Sequence, residues 1–226
     1  MRAEMLDFNK LRSLSPQQFF NRLVNHFDCG GLLIGADFAF GKNREGSAVF
    51  LREACANKNI PFEVAPFYKE RTEKISSSLI RKILAQGDIP RANMLLGRPY
   101  ELTGKVITGH KLGRKLGYPT ANLDSGIYKI LPLGVFAVKV RVGTKMYNGF
   151  CNIGFRPTVN TLDTLLPLVE VHIFNFKQSI YGRQITVWFY EKLRDETKFD
   201  GLEALKAQLA KDKTAADVLL KNVDLI

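Results

Sequence analysis

From about residue 100 onward, apolar side chains recur at every second position, and that period leaves few architectures open. Phe136, Val138, Val140 and Val142 make one face of a strand, with Lys139 and Arg141 on the other. Gly143 and Thr144 supply a turn, and 145–149 reads as the return strand of a hairpin. Ile185, Val187 and Phe189 alternate with Thr186, Trp188 and Tyr190 in the same way. Several such strands at regular spacing predict a small closed antiparallel β-barrel. In 168–174, Val169, Val171 and Ile173 share the core face, so Glu170 and His172 point to the opposite face, toward solvent or toward a site. Asp200 is expected to cap a final helix with Leu202, Leu205 and Leu209 as its buried stripe. Thr214 with Asp217 is expected to begin a further short helix.

The first part of the chain follows a different pattern. Ser15, Pro16 and Gln18 form a helix start with an N-cap, a first-turn proline and a capping-box partner. Phe19, Phe20, Leu23, Val24 and Phe27 then line one helical face. The apolar run 30–35 is of the kind found in buried parallel strands. A second helix follows, with Phe50, Leu51, Ala54 and Cys55 inward, and 60–66 reads as another strand. Strand, helix, strand in this order predicts a parallel α/β sheet. A further helix opens at 75–81 and stops at Gly87. Its serines cap it, and the same arrangement offers hydroxyls, free N–H groups and Arg81 to a phosphate.

Charge and cysteine usage narrow the setting. The net charge of +11 suits polyanionic small molecules, nucleic acid or solubility alone, but no run of five or more Lys/Arg marks a nucleic-acid tail. Cys29, Cys55 and Cys151 lie far apart without a CxxC pair, which points to reduced thiols. His26, His110 and His172 are not at metal-ligand spacing. The N-terminus lacks the apolar segment of a signal peptide, and no apolar run reaches membrane-spanning length. A cytoplasmic protein is expected.

The segment 104–122 concentrates the chemistry. Gly109, Gly113 and Gly117 let a backbone turn tightly and approach a ligand closely, and His110, Lys111, Arg114 and Lys115 stand between them. Cationic side chains beside exposed N–H groups favour a phosphate. After Pro119, Thr120 and Asn122 are neutral oxygen donors suited to magnesium. This is not a Walker A loop, because Arg114 stands where that pattern needs its second glycine. On spacing alone a basic surface hairpin remains open. So does a solvated role for Glu170, a surface ion pair of Arg194 with Asp195 or Glu196, and a core role for Phe199.

Four motifs together resemble the riboflavin kinase family, in the form found in bacterial bifunctional riboflavin kinase/FMN adenylyltransferases. They are Gly113-Arg-x-Leu-Gly-x-Pro-Thr-Ala-Asn122, Asn152-x-Gly-x-Arg-Pro-Thr158, Val169-Glu-x-His-Ile-Phe-x-Phe176 and Leu193-Arg-Asp-Glu-x-Lys-Phe199. The resemblance implies a kinase that moves the γ-phosphate of ATP to the riboflavin 5′-hydroxyl. It implies Glu170 as general base, Gly109, Gly113, Arg114 and Thr120 at the phosphates, and Thr120 with Asn122 at Mg²⁺. Arg194 and Phe199 would fold over flavin and nucleotide, with Asn152 and Thr158 in the matching loop. Asn175 stands where the family commonly has Asp.

Gly35-x-Asp-Phe-x-Phe-Gly41 and Ile75-Ser-Ser-x-x-Ile-Arg81 resemble the second half of the FMN adenylyltransferase module. There the serine-arginine motif is associated with ATP phosphates, which implies Ser76, Ser77 and Arg81. The glycine-rich opening of that Rossmann-like module and its paired histidines have no counterpart here. The expected organisation is therefore an incomplete adenylyltransferase-like α/β domain over residues 1–91 and a riboflavin kinase barrel with a C-terminal helix over 92–226. Met1 reads as a downstream start or a cut inside the parent domain, and FAD formation is not expected from this portion. Two alternatives stand beside the kinase: a fully bifunctional enzyme if other residues complete the first domain, and a non-catalytic nucleic-acid-binding barrel. The expected partners are ATP and riboflavin or FMN, not nucleic acid or a membrane.

Overall fold

The computed structural model describes residues 5–27, 29–70, 72–109, 112–126, 129–155, 167–221 and 223. The chain divides into two units between Ile75 and Ser76. In the first, a short helix α1 (Phe8–Leu11) precedes α2 (Pro16–Phe27). The capping box forms as expected: the Gln18 N–H donates to Ser15 Oγ at 3.2 Å, and the Ser15 N–H donates to Gln18 Oε1 at 2.9 Å. Strand β1 (Leu32–Gly35), helix α3 (Ala48–Ala56) and strand β2 (Phe62–Ala65) follow, and β1 pairs with β2 in parallel. Phe20, Phe40, Leu51 and Cys55 form a small core. Leu33 is 68% exposed, so β1 is not buried on both sides as the apolar run suggested. Among the described residues the sheet has only two strands, and its Leu32, Ile34 and Phe62 pack against that core. A ribbon of β3 (Lys69–Glu70) and β4 (Glu73–Lys74) closes this unit.

The second unit begins with α4 (Ser77–Ala85), whose first turn is capped by Ser76 Oγ accepting the Leu79 N–H at 3.2 Å. Helix α5 (Ile89–Leu96) ends at Gly97, where φ of +66° favours glycine. Then come β5 (Tyr100–Ile107), a single turn α6 (Leu112–Lys115), β6 (Thr120–Asp124), β7 (Gly134–Val142), β8 (Lys145–Gly154), β9 (Leu168–Ile173), β10 (Gln184–Arg194) and α7 (Leu202–Leu220). The six long strands close into an antiparallel barrel in the order β10-β5-β6-β9-β8-β7. The β7–β8 hairpin turns at Gly143 and Thr144 as the alternation predicts. Leu102, Phe136, Val138, Val187 and Phe189 fill the interior. Ile83, Leu84, Ile89 and Ala92 belong to the same core, so α4 and α5 group with the barrel and the boundary expected after Arg91 lies inside the second unit.

The C-terminal helix departs from its expectation. It is one helix, with Gly201 rather than Asp200 at the N-cap and no side chain capping it. Leu202 is 55% exposed, whereas Asp212, Ala216 and Leu220 are buried. The Thr214 hydroxyl donates back to the Ala210 carbonyl at 3.0 Å, so the helix runs through this residue instead of restarting at it. The buried face of α7 is chosen by what lies beneath it, the outer side of the barrel at Val135, Ala137 and Phe150. With α7 outside and the core inside, β7 is buried on both faces over most of its length.

Candidate active site

The centre of the site is β9. Val169, Val171 and Ile173 point into the barrel, as their period demands. On the outer face, Glu170 stands directly opposite Asn122 of β6 on one side and Asn152 of β8 on the other. Opposed residues share a face, with Cα atoms about 4.5–5.5 Å apart. Three side chains from sequence-distant strands thus form one polar row, with Asn122 7% exposed and Glu170 half-buried. The next row is Thr120, His172 and Phe150.

The glycine loop packs down on this face. A Cβ at Gly109 would overlap the Asn122 side-chain amide, so the absence of a side chain is what lets the loop lie against it. The Gly113 carbonyl accepts the Tyr118 N–H at 2.8 Å and the Leu116 N–H at 3.1 Å, which folds the loop back on itself. A Cβ at Gly113 would meet the Tyr118 carbonyl and stand 3.6 Å from Thr120 Oγ1. Gly109, Gly113, Thr120, Asn122, Asn152 and Glu170 are therefore brought together. His110, Lys111 and Thr158 lie outside the described residues.

His172 faces neither solvent nor an open site. It is 6% exposed, with Tyr118, Phe150 and Phe174 at ring distances of 5.3, 5.0 and 5.7 Å. Its Nδ1–H donates to the Pro119 carbonyl at 2.8 Å. Burial pushes its pKa down, the Pro119 bond opposes that shift, and the charge of Lys213 adds to it. Cys151, on the core side of β8, has its thiol pKa pushed far up by burial and further by the Glu170 charge.

A cavity of about 490 Å³ opens beside Thr120. Arg114, Pro119 and Thr120 line one side of it, Lys177, Ser179 and Tyr181 of the β9–β10 connection another, and the core-facing Val106, Val171 and Ile173 a third, so it adjoins the Glu170–Asn122 row only through Thr120. Sequence reasoning found the first group through its glycine spacing. It missed the second, because a short turn ending in Gly182 carries no signal of what it faces.

The segment after β10 is anchored differently from either expectation. Arg194 pairs with neither the Asp195 nor the Glu196 carboxylate. Its guanidinium donates to Asp212 of α7, Nε to Oδ1 at 2.9 Å and Nη2 to Oδ2 at 2.8 Å. Asp212 is 3% exposed and also accepts from Gln208 Nε2 at 2.8 Å. The same guanidinium lies 5.4 Å from the Phe199 ring centroid and donates to the Asp195 carbonyl at 3.0 Å. Glu196 packs its carboxylate on Gly154, where a Cβ would overlap it, two residues along β8 from Asn152. Asp212 was invisible in the sequence, since a charge on a helix reads as solvent-facing.

Ser76, Ser77 and Arg81 sit apart from this cluster, at the start of α4. The Ser76 hydroxyl serves as the helix cap. Ser77 and Arg81 line a separate pocket of about 210 Å³ together with Arg98 and Lys129.

The donor set can be tested for magnesium. Among the described residues no group of three or more His, Cys, Asp or Glu could hold a metal. Mg²⁺ does not require one: it keeps several waters and uses substrate phosphate oxygens, so the neutral oxygens of Thr120 and Asn122 beside the glycine loop fit it. No described helix is long and apolar enough to cross a membrane.

The sequence model of the flavokinase (riboflavin kinase) family matches residues 96–220, and that of FAD synthetase matches residues 2–79. The bifunctional riboflavin kinase/FMN adenylyltransferase of Bacillus subtilis is 39% identical over 214 residues, covering 94% of this chain and 67% of its own length. The Haemophilus influenzae protein of that name is 42% identical over 196 residues, covering 86% and 62%. A crystal structure described as a macrolide-efflux protein from Streptococcus pneumoniae matches with a TM-score of 0.79 at 30% identity, over 94% of this chain and 67% of that one. The chain thus spans about two thirds of the length of these relatives. A barrel and terminal helix matched by the flavokinase model, within a chain similar to the bifunctional enzymes almost throughout, place this protein in the riboflavin kinase family.

Proposed function

We propose that this chain transfers the γ-phosphoryl group of ATP to the 5′-hydroxyl of riboflavin, giving FMN and ADP, on the outer face of the barrel at β6 and β9. The observation that carries the reading is the opposition of Glu170 to Asn122 beneath the glycine loop. Phosphoryl transfer needs in-line positioning, neutralisation of phosphate charge and an acceptor for the hydroxyl proton. The loop N–H groups around Gly109 and Gly113 bind and orient the triphosphate, with the Arg114 guanidinium at the edge of the cavity beside Thr120. Thr120 Oγ1 and the Asn122 amide oxygen would hold Mg²⁺, which when bound spreads charge over the phosphate oxygens. Glu170, flanked by two neutral amides and not by another carboxylate, takes the proton of the attacking hydroxyl. Asn152 orients the carboxylate from its other side, and Thr158, which follows in the same sequence motif, contacts substrate. The 194–199 segment, held by Arg194 to α7 and carrying Phe199, covers the flavin. We also infer a cytoplasmic location, which the unpaired thiols of Cys29, Cys55 and Cys151 support.

FMN adenylylation is a second reading. It is supported by Ser77 and Arg81 lining a pocket with Arg98 and Lys129 at a helix start. One incubation with riboflavin and Mg-ATP, followed by chromatographic separation of riboflavin, FMN and FAD, tests both. FMN as the product supports the kinase, its absence removes the kinase, and FAD would establish the second activity.

A further inference from the structure

We propose that His172 is a positioning residue for the phosphate-binding loop, coupling the strand that carries Glu170 to the strand that carries Thr120 and Asn122. The inference rests on the kinase reading and names a part of the site that reading leaves unassigned. His172 lies two residues from Glu170 on the same face of β9 and directly opposite Thr120. It does not need to touch substrate to act. Its polar partner among the described residues, the Pro119 carbonyl at 2.8 Å, is the last backbone acceptor before β6 begins, at the point where the glycine loop returns to the barrel. Proline has no N–H, so this joint cannot be held by the usual donor from its own residue. The ladder to β9 starts only at Thr120. The imidazole supplies the missing fastening from the neighbouring strand.

The surroundings make this fastening rigid. A carbonyl only accepts, so Nδ1 carries the hydrogen. The ring is held by Tyr118 from the loop, Phe150 from β8 and Phe174 from the end of β9. Tyr118 and Pro119 are thus both tied to the same imidazole, one through an inclined ring contact at 5.3 Å and one through its Nδ1–H. Gly113 is in turn tied to Tyr118 through its carbonyl. A displacement of the ring would pass to Thr120 Oγ1 and Gly113, the groups at the phosphates. The flavin cover at 194–199 has a separate polar anchor, through Arg194 and Asp212.

The test compares H172F, which keeps an aromatic ring and removes the donor, with H172N, whose amide N–H can reach the carbonyl from the Nδ1 side. In H172F the KM for Mg-ATP is expected to rise and kcat to fall, each on the order of tenfold, while the KM for riboflavin stays within about twofold. H172N is expected to recover most of the ATP effect. Unchanged ATP kinetics in H172F at full wild-type FMN production would overturn the proposal. So would equal losses for ATP and riboflavin that track a fall in Tm, or an H172N no better than H172F. If H172F does not fold, H172L, which also lacks the ring donor, takes its place in the comparison with H172N. A wild-type protein that makes no FMN defeats the kinase reading instead.

Discussion

Asn122 and Glu170 occupy opposed positions on β6 and β9, so an amide of the glycine-loop strand and the carboxylate of the neighbouring strand share one outer face of the barrel. In the proposed reaction this sets the assigned proton acceptor beside the neutral oxygen donors assigned to Mg²⁺, with no second carboxylate opposed to it.

Replacement of Glu170 by Gln keeps the shape and removes the proton acceptor. The rate of FMN formation should fall by about 10²–10⁴-fold, while the dissociation constant for ATP changes little. Single-turnover kinetics with calorimetric ATP binding measures both, and an unchanged rate would exclude Glu170 from the chemistry.

The Thr120 hydroxyl stands 3.6 Å from the position a Gly113 Cβ would take, at the junction of loop and strand. Thr120→Val keeps the branched shape and removes the oxygen. The magnesium concentration needed for half-maximal rate should rise on the order of tenfold. A titration that superposes on the wild type would count against a metal role.

At Gly109 the constraint is space, since an added methyl overlaps the Asn122 amide. Gly109→Ala should lower kcat/KM for ATP by about tenfold or more, because loop or amide must move. In the Asn122→Ala background the same substitution should do less further harm. A double-mutant cycle with additive effects would contradict the contact.

Arg194 and Asp212 make a bidentate pair whose carboxylate is 3% exposed. Arg194→Ala leaves that carboxylate with Gln208 as its remaining described partner, at a cost of about 3–5 kcal/mol, and Tm should drop accordingly. Asp195→Ala, which removes the exposed partner of Lys192, should leave Tm almost unchanged. Denaturant unfolding of the two variants checks the contrast. A small effect at Arg194 would show that Asp212 is solvated in solution.

Local signals were enough wherever a feature depends on its own neighbours in sequence. The capping box at Ser15 and Gln18, the helix stop at Gly87 and the β7–β8 turn all form at short range, and each is present in the fold. Where the expectations failed, a distant element had decided the outcome. Leu202 looked like core and is exposed, while Asp212 looked like surface and is buried, because α7 presents to the barrel the face that meets Val135, Ala137 and Phe150. His172 was placed on the outer face correctly, yet that face is covered there.

The amino-acid order by itself determined the two patterns, α/β and then alternating β, the glycine-bearing loop and the side of β9 on which Glu170 lies, since a period of two permits only one core face. It did not determine which residues stand opposite Glu170. That depended on β9 pairing with β6 on one edge and β8 on the other. Strand neighbours in a closed barrel are chosen by closure and core packing over the whole chain. The company of Asn122 and Asn152 around one carboxylate therefore exists only in the folded molecule.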